Sequence, residues 1–383
     1  MFRNEIYDVI VIGAGPAGAF TSLKLSEKGI KTLLIEKRER IGEPVQCGEG
    51  LSEYALRENN IKPEDIFIVR KMKGSKTFTP SGYYLIFPIP GFIIKRNIFD
   101  KYLTEKAQEK KTKLKTGEKV LLINKKRDLF EIISDKDKYY SKFVVLATGP
   151  YEGIKGILYP EIKKITAIEF RFEPNDIDDE YFHFYFGDDF KPFYGWVFFH
   201  GYETGVGTGF YDRGNTLNTI KILIKKYGLE EKKITRKVAG KIPFSKPLFP
   251  PDPDGILRTG DAIGAVHPFT AGGIHGALTT GRIAAETIIE NFDKKEEINR
   301  IYYKKIKKIP IFQNSLWQKQ KILFNKSSKE WDEIGKLMNG RDYYKTPWFR
   351  AILYLFLHPF SIFNLLYFLN LQKEMKISEN YSY

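Results

Sequence analysis

The spacing of apolar and polar positions changes several times along this 383-residue chain. Ile6–Ile12 (IYDVIVI) is a near-continuous apolar run, as a strand buried on both faces of a parallel sheet requires. Ala19–Lys28 then takes a helical period that Gly29 ends, and Lys31–Glu36 reads as a second strand finishing on an acid. These segments form one strand–helix–strand unit. A further parallel strand is expected at Phe143–Ala147, just ahead of Thr148-Gly149, and the same domain resumes around Ile256–Glu286. Between these segments the texture differs. Lys76–Phe87 alternates about Pro80-Ser81-Gly82, the pattern of a hairpin. Ala167–Phe172, Glu180–Phe186, Tyr194–Phe199 and Gly205–Phe210 are aromatic-rich and strand-like, predicting an inserted, mostly antiparallel sheet. Helices are expected at Lys95–Lys110 and at Thr216–Tyr227, the latter with Asn215 as N-cap. Past Gly281 the pattern is helical to the end of the chain.

Composition removes several classes. A hydrophobic content of 42% supports a large core and excludes disorder for the body of the chain. One cysteine excludes a disulfide framework and any multi-cysteine metal or cluster site, so no metal is expected. The net charge of +15 is spread through runs such as Lys110-Lys111, Lys232-Lys233 and Lys304–Lys308 rather than concentrated on one aromatic-studded element. Nucleic-acid binding is therefore not expected, whereas attraction to anionic lipid is. The Lys-, Glu- and Ile-rich composition fits a thermophile. The opening residues lack signal-peptide architecture, which predicts a cytoplasmic protein. Ala351–Leu369 is apolar and long enough to span a bilayer, but it contains His358, Pro359, Ser361 and Asn364. With Lys345 and Arg350 before it, it is expected to rest on the cytoplasmic face of a membrane rather than to cross it.

The chemistry begins at Gly13-Ala14-Gly15-Pro16-Ala17-Gly18, which follows a strand and opens a helix, with Glu36 about 20 residues further on. Gly13 makes the tight turn, Gly15 lets the backbone approach a pyrophosphate, and Gly18 lets helix and strand close together. The helix N-terminus offers free N–H groups to phosphate, and Glu36 can accept from ribose hydroxyls. This motif fits NAD and FAD equally. The fold class it implies is α/β with a discontinuous Rossmann-type domain (1–60, 95–150 and 246–290). The antiparallel substrate domain (61–94 and 151–245) is inserted into it, and a helical C-terminal region (291–383) follows.

A second constellation, Arg258-Thr259-Gly260-Asp261-Ala262 with Pro268, Gly272, Gly273 and Gly276 after it, resembles the second FAD motif of p-hydroxybenzoate hydroxylase-type flavoproteins. The resemblance implies noncovalent FAD, with Asp261 on the ribityl chain and Gly272-Gly273-Ile274 approaching the flavin ring. A third constellation joins Val45-Gln46-Cys47-Gly48-Glu49-Gly50, Tyr194-Gly195-Trp196-Val197-Phe198-Phe199 and Gly205-Val206-Gly207-Thr208-Gly209. Together these resemble the geranylgeranyl reductase family, in particular its archaeal lipid branch, from roughly Tyr7 to Glu286. Two departures stand out: Phe198-Phe199 where the family has Phe-Pro, and Ala147-Thr148-Gly149 where it has Ala-Asp-Gly.

What the resemblance implies is an FAD-dependent reductase that saturates C=C bonds of geranylgeranyl chains on archaeal ether phospholipids. It places Cys47 beside the flavin as a candidate catalytic residue, Arg96 on the cofactor, and Tyr194, Trp196, Phe198 and Gly207 along the prenyl chain. His267 and His275 flank the flavin loop as further candidate proton donors. The expected partners are a prenylated lipid and a transient electron donor, either NADPH or a reduced ferredoxin-type protein. A monooxygenase of the p-hydroxybenzoate hydroxylase type, or a flavin- and lipid-binding protein without turnover, would carry many of the same motifs. The glycines 205, 207 and 209 open no helix and read as positions of close backbone approach within a sheet.

Overall fold

The computed structural model describes residues 5–151, 153–211 and 216–342. The N-cap expected at Asn215 and the apolar Ala351–Leu369 stretch, with Lys345 and Arg350, lie outside them.

The first domain is built on a seven-stranded sheet whose parallel part runs Lys113–Lys115, Thr32–Ile35, Ile6–Ile12, Lys138–Leu146 and Ile256–Arg258. Val9, Ile10 and Val11 are wholly buried because both faces of the sheet are covered. The Pro16–Ser26 helix starts earlier than the apolar period alone suggests: Gly15 serves as N-cap and Pro16 occupies the first turn, where a missing N–H costs nothing. Two glycines are dictated by space. A Cβ on Gly13 (φ +102°) would lie 2.3 Å from the Ala147 carbonyl oxygen, and one on Gly18 would lie 1.8 Å from that of Gly13. The Ile274–Glu290 helix crosses the first helix at Gly281, where a Cβ would sit 2.7 Å from the Ala17 oxygen. Leu129–Ser134 and Val120–Lys126 extend the sheet as an antiparallel meander.

The second domain holds an eight-stranded sheet in the order Ile234–Pro243, Lys164–Phe172, Thr204–Phe210, Gly195–Phe199, Tyr181–Tyr185, Gly74–Phe78, Tyr84–Phe87 and Arg341–Asp342. It is antiparallel except at two joints, where Tyr181–Tyr185 meets Gly74–Phe78 and Arg341–Asp342 meets Tyr84–Phe87. A three-stranded sheet (Gly50–Ser52, Gly91–Ile94, Ile68–Met72) links the domains.

The C-terminal helices are not a separate layer. Asn314–Asn325 and Ser328–Met338 share the aromatic core of the second sheet, with Phe186 stacked on Trp331 at 4.6 Å and Phe193, Tyr194 and Phe244 grouped around Phe324. A capping box at Ser327 and Glu330 starts the last helix, and Gly335 lets it close on Thr79 and Tyr83 of the hairpin. Among the described residues past Gly281 the helices run as far as Met338, after which Arg341–Asp342 adds a strand. Among the described residues, no helix is long and apolar enough to cross a membrane.

Candidate active site

Between the two sheets runs one continuous cleft of about 400 Å³, within the range of pockets that enclose a ligand. One end is the dinucleotide motif. Gly13, Gly15, Pro16 and Ala17 line it, and the Gly15 Cα faces open space, leaving room for a bulky group against the helix N-terminus. Gly18 lies behind, in the helix–strand contact. Glu36 is held by the backbone N–H groups of Ala14 (2.8 Å) and Arg38 (2.9 Å). Ala147, Thr148 and Gly149 form the opposite wall. Across this end Gln46 Oε1 accepts from both Arg38 (3.0 Å) and the Tyr151 hydroxyl (3.2 Å), a bridge that no motif announced.

The middle of the cleft is set by Gly260 and Asp261, the turn Thr270–Gly273, and Ile274. Among the described residues the Asp261 carboxylate accepts no hydrogen bond, although burial pushes its pKa up to about 6 and the Arg96 guanidinium offsets this only in part. A half-buried carboxylate open to a cleft is a natural acceptor for hydroxyl groups. The Ile274–Glu290 helix aims its first N–H groups into the same space. An open glycine cradle, a hydroxyl acceptor and a second helix N-terminus, in that order, fit the pyrophosphate, ribityl chain and ring of FAD.

Beside this stretch stands Cys47, half-buried. Burial raises its thiol pKa, the neighbouring Arg96 charge opposes the rise in part, and the thiol stays protonated at neutral pH. The Glu49 N–H points at its Sγ (3.2 Å). Arg96 is held by Asp100 through two bonds of 3.1 and 3.0 Å. Its backbone N–H donates to Glu49 Oε1 (2.9 Å). Glu49 adopts φ +66°, rare for a residue with a side chain, and its two carboxylate oxygens fix that conformation. Oε1 takes the Arg96 N–H, and Oε2 takes Nη1 of the fully buried Arg171 at 2.6 Å. Arg171 also reaches the Cys47 carbonyl (3.0 Å) and Glu169 (2.6 Å).

The far end of the cleft is aromatic: Phe184, Phe193, Tyr194, Trp196 and Phe198 line it, all buried. The Tyr194 hydroxyl donates to the Thr270 carbonyl, tying this wall to the flavin-side turn. Gly207 is not part of the lining. It lies behind Trp196, where a Cβ would sit 2.2 Å from the indole. Gly205 and Gly209 make the same room for Glu169 and Phe193. The glycines therefore seat the wall rather than touch a substrate. His267 and His275 also lie off the cleft. His267 Nδ1 faces the N–H groups of Phe269 and Thr270, and burial lowers its pKa to about 3. His275 is bonded to Glu58, and burial lowers its pKa too. Neither is placed to give a proton to a ligand.

Glu169 and Arg171 had a readable signal: two charges at alternate positions of an otherwise apolar strand (AIEFRF), which a buried face tolerates only when they are paired. Among the described residues, no group of three or more His, Cys, Asp or Glu could hold a metal.

Comparison with known proteins agrees with this geometry. Residues 10–171 match the pyridine nucleotide-disulphide oxidoreductase family. The digeranylgeranylglycerophospholipid reductase of Methanocaldococcus jannaschii is 32% identical, covering 88% of this chain and 93% of that protein. Its counterpart in Picrophilus torridus is also 32% identical, covering 79% and 83%. The crystal structure of a geranylgeranyl bacteriochlorophyll reductase-like protein from Thermoplasma acidophilum superimposes with a TM-score of 0.80 at 27% identity, covering 92% of this chain and 96% of that one. A flavin-dependent brominase shares the fold at 18% identity and a TM-score of 0.65. The chain belongs to the digeranylgeranylglycerophospholipid reductase family, and its fold is that of flavin-dependent oxidoreductases.

Proposed function

We propose that this protein binds FAD noncovalently and saturates C=C bonds in the geranylgeranyl chains of an archaeal ether phospholipid. The observation that carries the reading is the continuity of the cleft: a dinucleotide cradle opens, past a single thiol, into a buried aromatic chamber. Bound and reduced, FAD supplies a hydride equivalent.

The chain supplies the rest. Phe184, Tyr194, Trp196 and Phe198 give a dry, chain-shaped surface that holds an isoprenoid and keeps water from the reacting carbons. An isolated trisubstituted alkene has no carbonyl to polarise, so a proton must reach one carbon as hydride reaches the other. Cys47 holds a proton at Sγ where the cradle meets the chamber. Arg96 stands beside it to stabilise the thiolate left behind, and Glu49 fixes the loop that presents it. A monooxygenase reading draws on the same fold, but the aromatic chamber favours a long apolar chain.

The electron donor is NADPH or a reduced ferredoxin-type protein, acting transiently, and anaerobic bleaching of the flavin by each decides between them. Because the substrate chain lives in lipid, the protein works in the cytoplasm, peripherally on the membrane face, through its net positive charge and the apolar Ala351–Leu369 stretch. Flotation on anionic liposomes at low but not high salt supports this, and failure to float at low salt refutes it. Incubating the reduced protein with digeranylgeranylglycerophospholipid and weighing the product tests the activity: the lipid gains two hydrogens per bond reduced.

A further inference from the structure

One row of the second sheet runs through Phe184, Trp196, Gly207, Glu169 and Val238, paired strand to strand. Because Gly207 has no side chain, the Trp196 indole lies across that strand, and its Nε1–H reaches Glu169 Oε2 at 2.7 Å. Glu169 is 2% exposed and lines the chamber close to Gly48, where a Cβ would meet the carboxylate at 3.4 Å. Its other oxygen binds Arg171. That guanidinium is shared with Glu49 at 2.6 Å, while the partly exposed Arg236 serves Glu203 (3.2 Å). Three carboxylates thus face two guanidiniums. The neighbouring Arg96–Asp100 pair is self-compensated, and burial together with the Arg171 charge keeps His200 neutral. One negative charge is left, and on the chamber side Glu169 is screened only by a neutral indole.

We propose that Glu169, acting directly and through the Trp196 face, stabilises the positive charge that develops on the prenyl chain during reduction. The inference rests on the function proposed above. Adding a hydride to one alkene carbon and a proton to the other breaks the π bond and forms two C–H bonds. Because protonation runs ahead, cationic character gathers on the more substituted carbon. A carboxylate hydrogen-bonded to an indole N–H enriches the π face turned to that carbon, and in a water-excluded chamber the charge that Arg171 leaves uncompensated is screened less than it would be in water.

The test uses two probes on the oxidised holoenzyme. One is a geranylgeranyl-length amine with a tertiary ammonium in place of a branch carbon, and the other is its neutral hydrocarbon isostere. Calorimetric titration of wild type should show the ammonium bound at least about tenfold more tightly. Glu169→Gln, which keeps the shape and one acceptor for the indole while turning its N–H2 toward Arg171, should abolish that preference while leaving the neutral probe within about twofold. Single-turnover reduction of the lipid by Glu169→Gln should slow by about 10²-fold. A merely structural Glu169 would shift both probes alike, and that result overturns the inference. Wild type that binds the neutral chain without preferring the ammonium overturns the inference alone. Wild type that binds neither probe overturns the proposed function with it.

Discussion

Arg171 Nη1 and Glu49 Oε2 meet at 2.6 Å, and through this contact the second sheet holds the cysteine loop of the first domain in place. Arg171 stands on an aromatic-rich strand, whereas Glu49 precedes the strand that follows Cys47, so one buried pair sets the distance between thiol and chamber. Removing one partner of such a pair leaves an uncompensated buried charge. Arg171→Met should lower stability by about 3–5 kcal/mol, read from the urea midpoint of the flavin-loaded protein. Glu49→Gln, which keeps one acceptor and sets an amide N–H2 against the other donor, should also lower the midpoint while still retaining flavin. Equal midpoints for wild type and Arg171→Met would contradict the coupling.

Gly207→Ala isolates the wall from the cradle. The new Cβ would lie 2.2 Å from the Trp196 ring and drive the indole into the chamber. Flavin content should match wild type, because Gly207 does not line the cleft. Reoxidation by prenyl lipid should fall at least about tenfold through weaker chain binding, with the loss appearing mainly in the lipid concentration needed for half-maximal rate.

How much of this was legible in the sequence follows from what each signal encodes. The motif at Gly13–Gly18 declared its place because glycine spacing, strand and helix are local, and the clash distances at Gly13 and Gly18 give the reason for each. The hairpin about Ser81 was visible for the same reason. The Ile234–Pro243 edge strand was not, since its alternation is diluted by lysines facing solvent. The docking of the C-terminal helices into the aromatic core was also hidden, because tertiary partners leave no local pattern. The Gly205–Gly209 motif points Gly207 at the substrate, yet only the strand register shows it behind Trp196. The roles of Glu49 and Arg171 depend on residues 122 positions apart meeting, which periodicity cannot reveal.

Asp261 should make FAD affinity pH-dependent. In the empty cleft its pKa is raised to about 6, above the ordinary carboxylate value near 3.9. Hydroxyl donors favour the ionised form, so binding must release the proton that burial retains. Affinity should therefore rise with pH up to about 6, then level off, and fall by up to about tenfold per unit below it. Flavin fluorescence titrations of apoprotein between pH 5 and 8 check the sign. Asp261→Asn should bind more weakly and without this dependence.

Cys47 gives a sharper test than the histidines, since His267 and His275 lie off the cleft. Cys47→Ala should keep flavin and fold but slow lipid-driven reoxidation by about 10²–10⁴-fold. Cys47→Ser should recover little of this if acidity matters and much of it if only positioning does. An unchanged rate in Cys47→Ala would return the thiol to a packing role.

If the cleft passes reducing equivalents to a prenyl double bond, it must do so without oxygen. The decisive experiment is stopped-flow mixing of pre-reduced holoenzyme with digeranylgeranylglycerophospholipid under strict anaerobiosis. The oxidised flavin spectrum should return at a rate that saturates with lipid, together with a product heavier by two hydrogens per flavin turned over. A flavin that stays reduced until oxygen is admitted, with the lipid mass unaltered, would contradict that transfer.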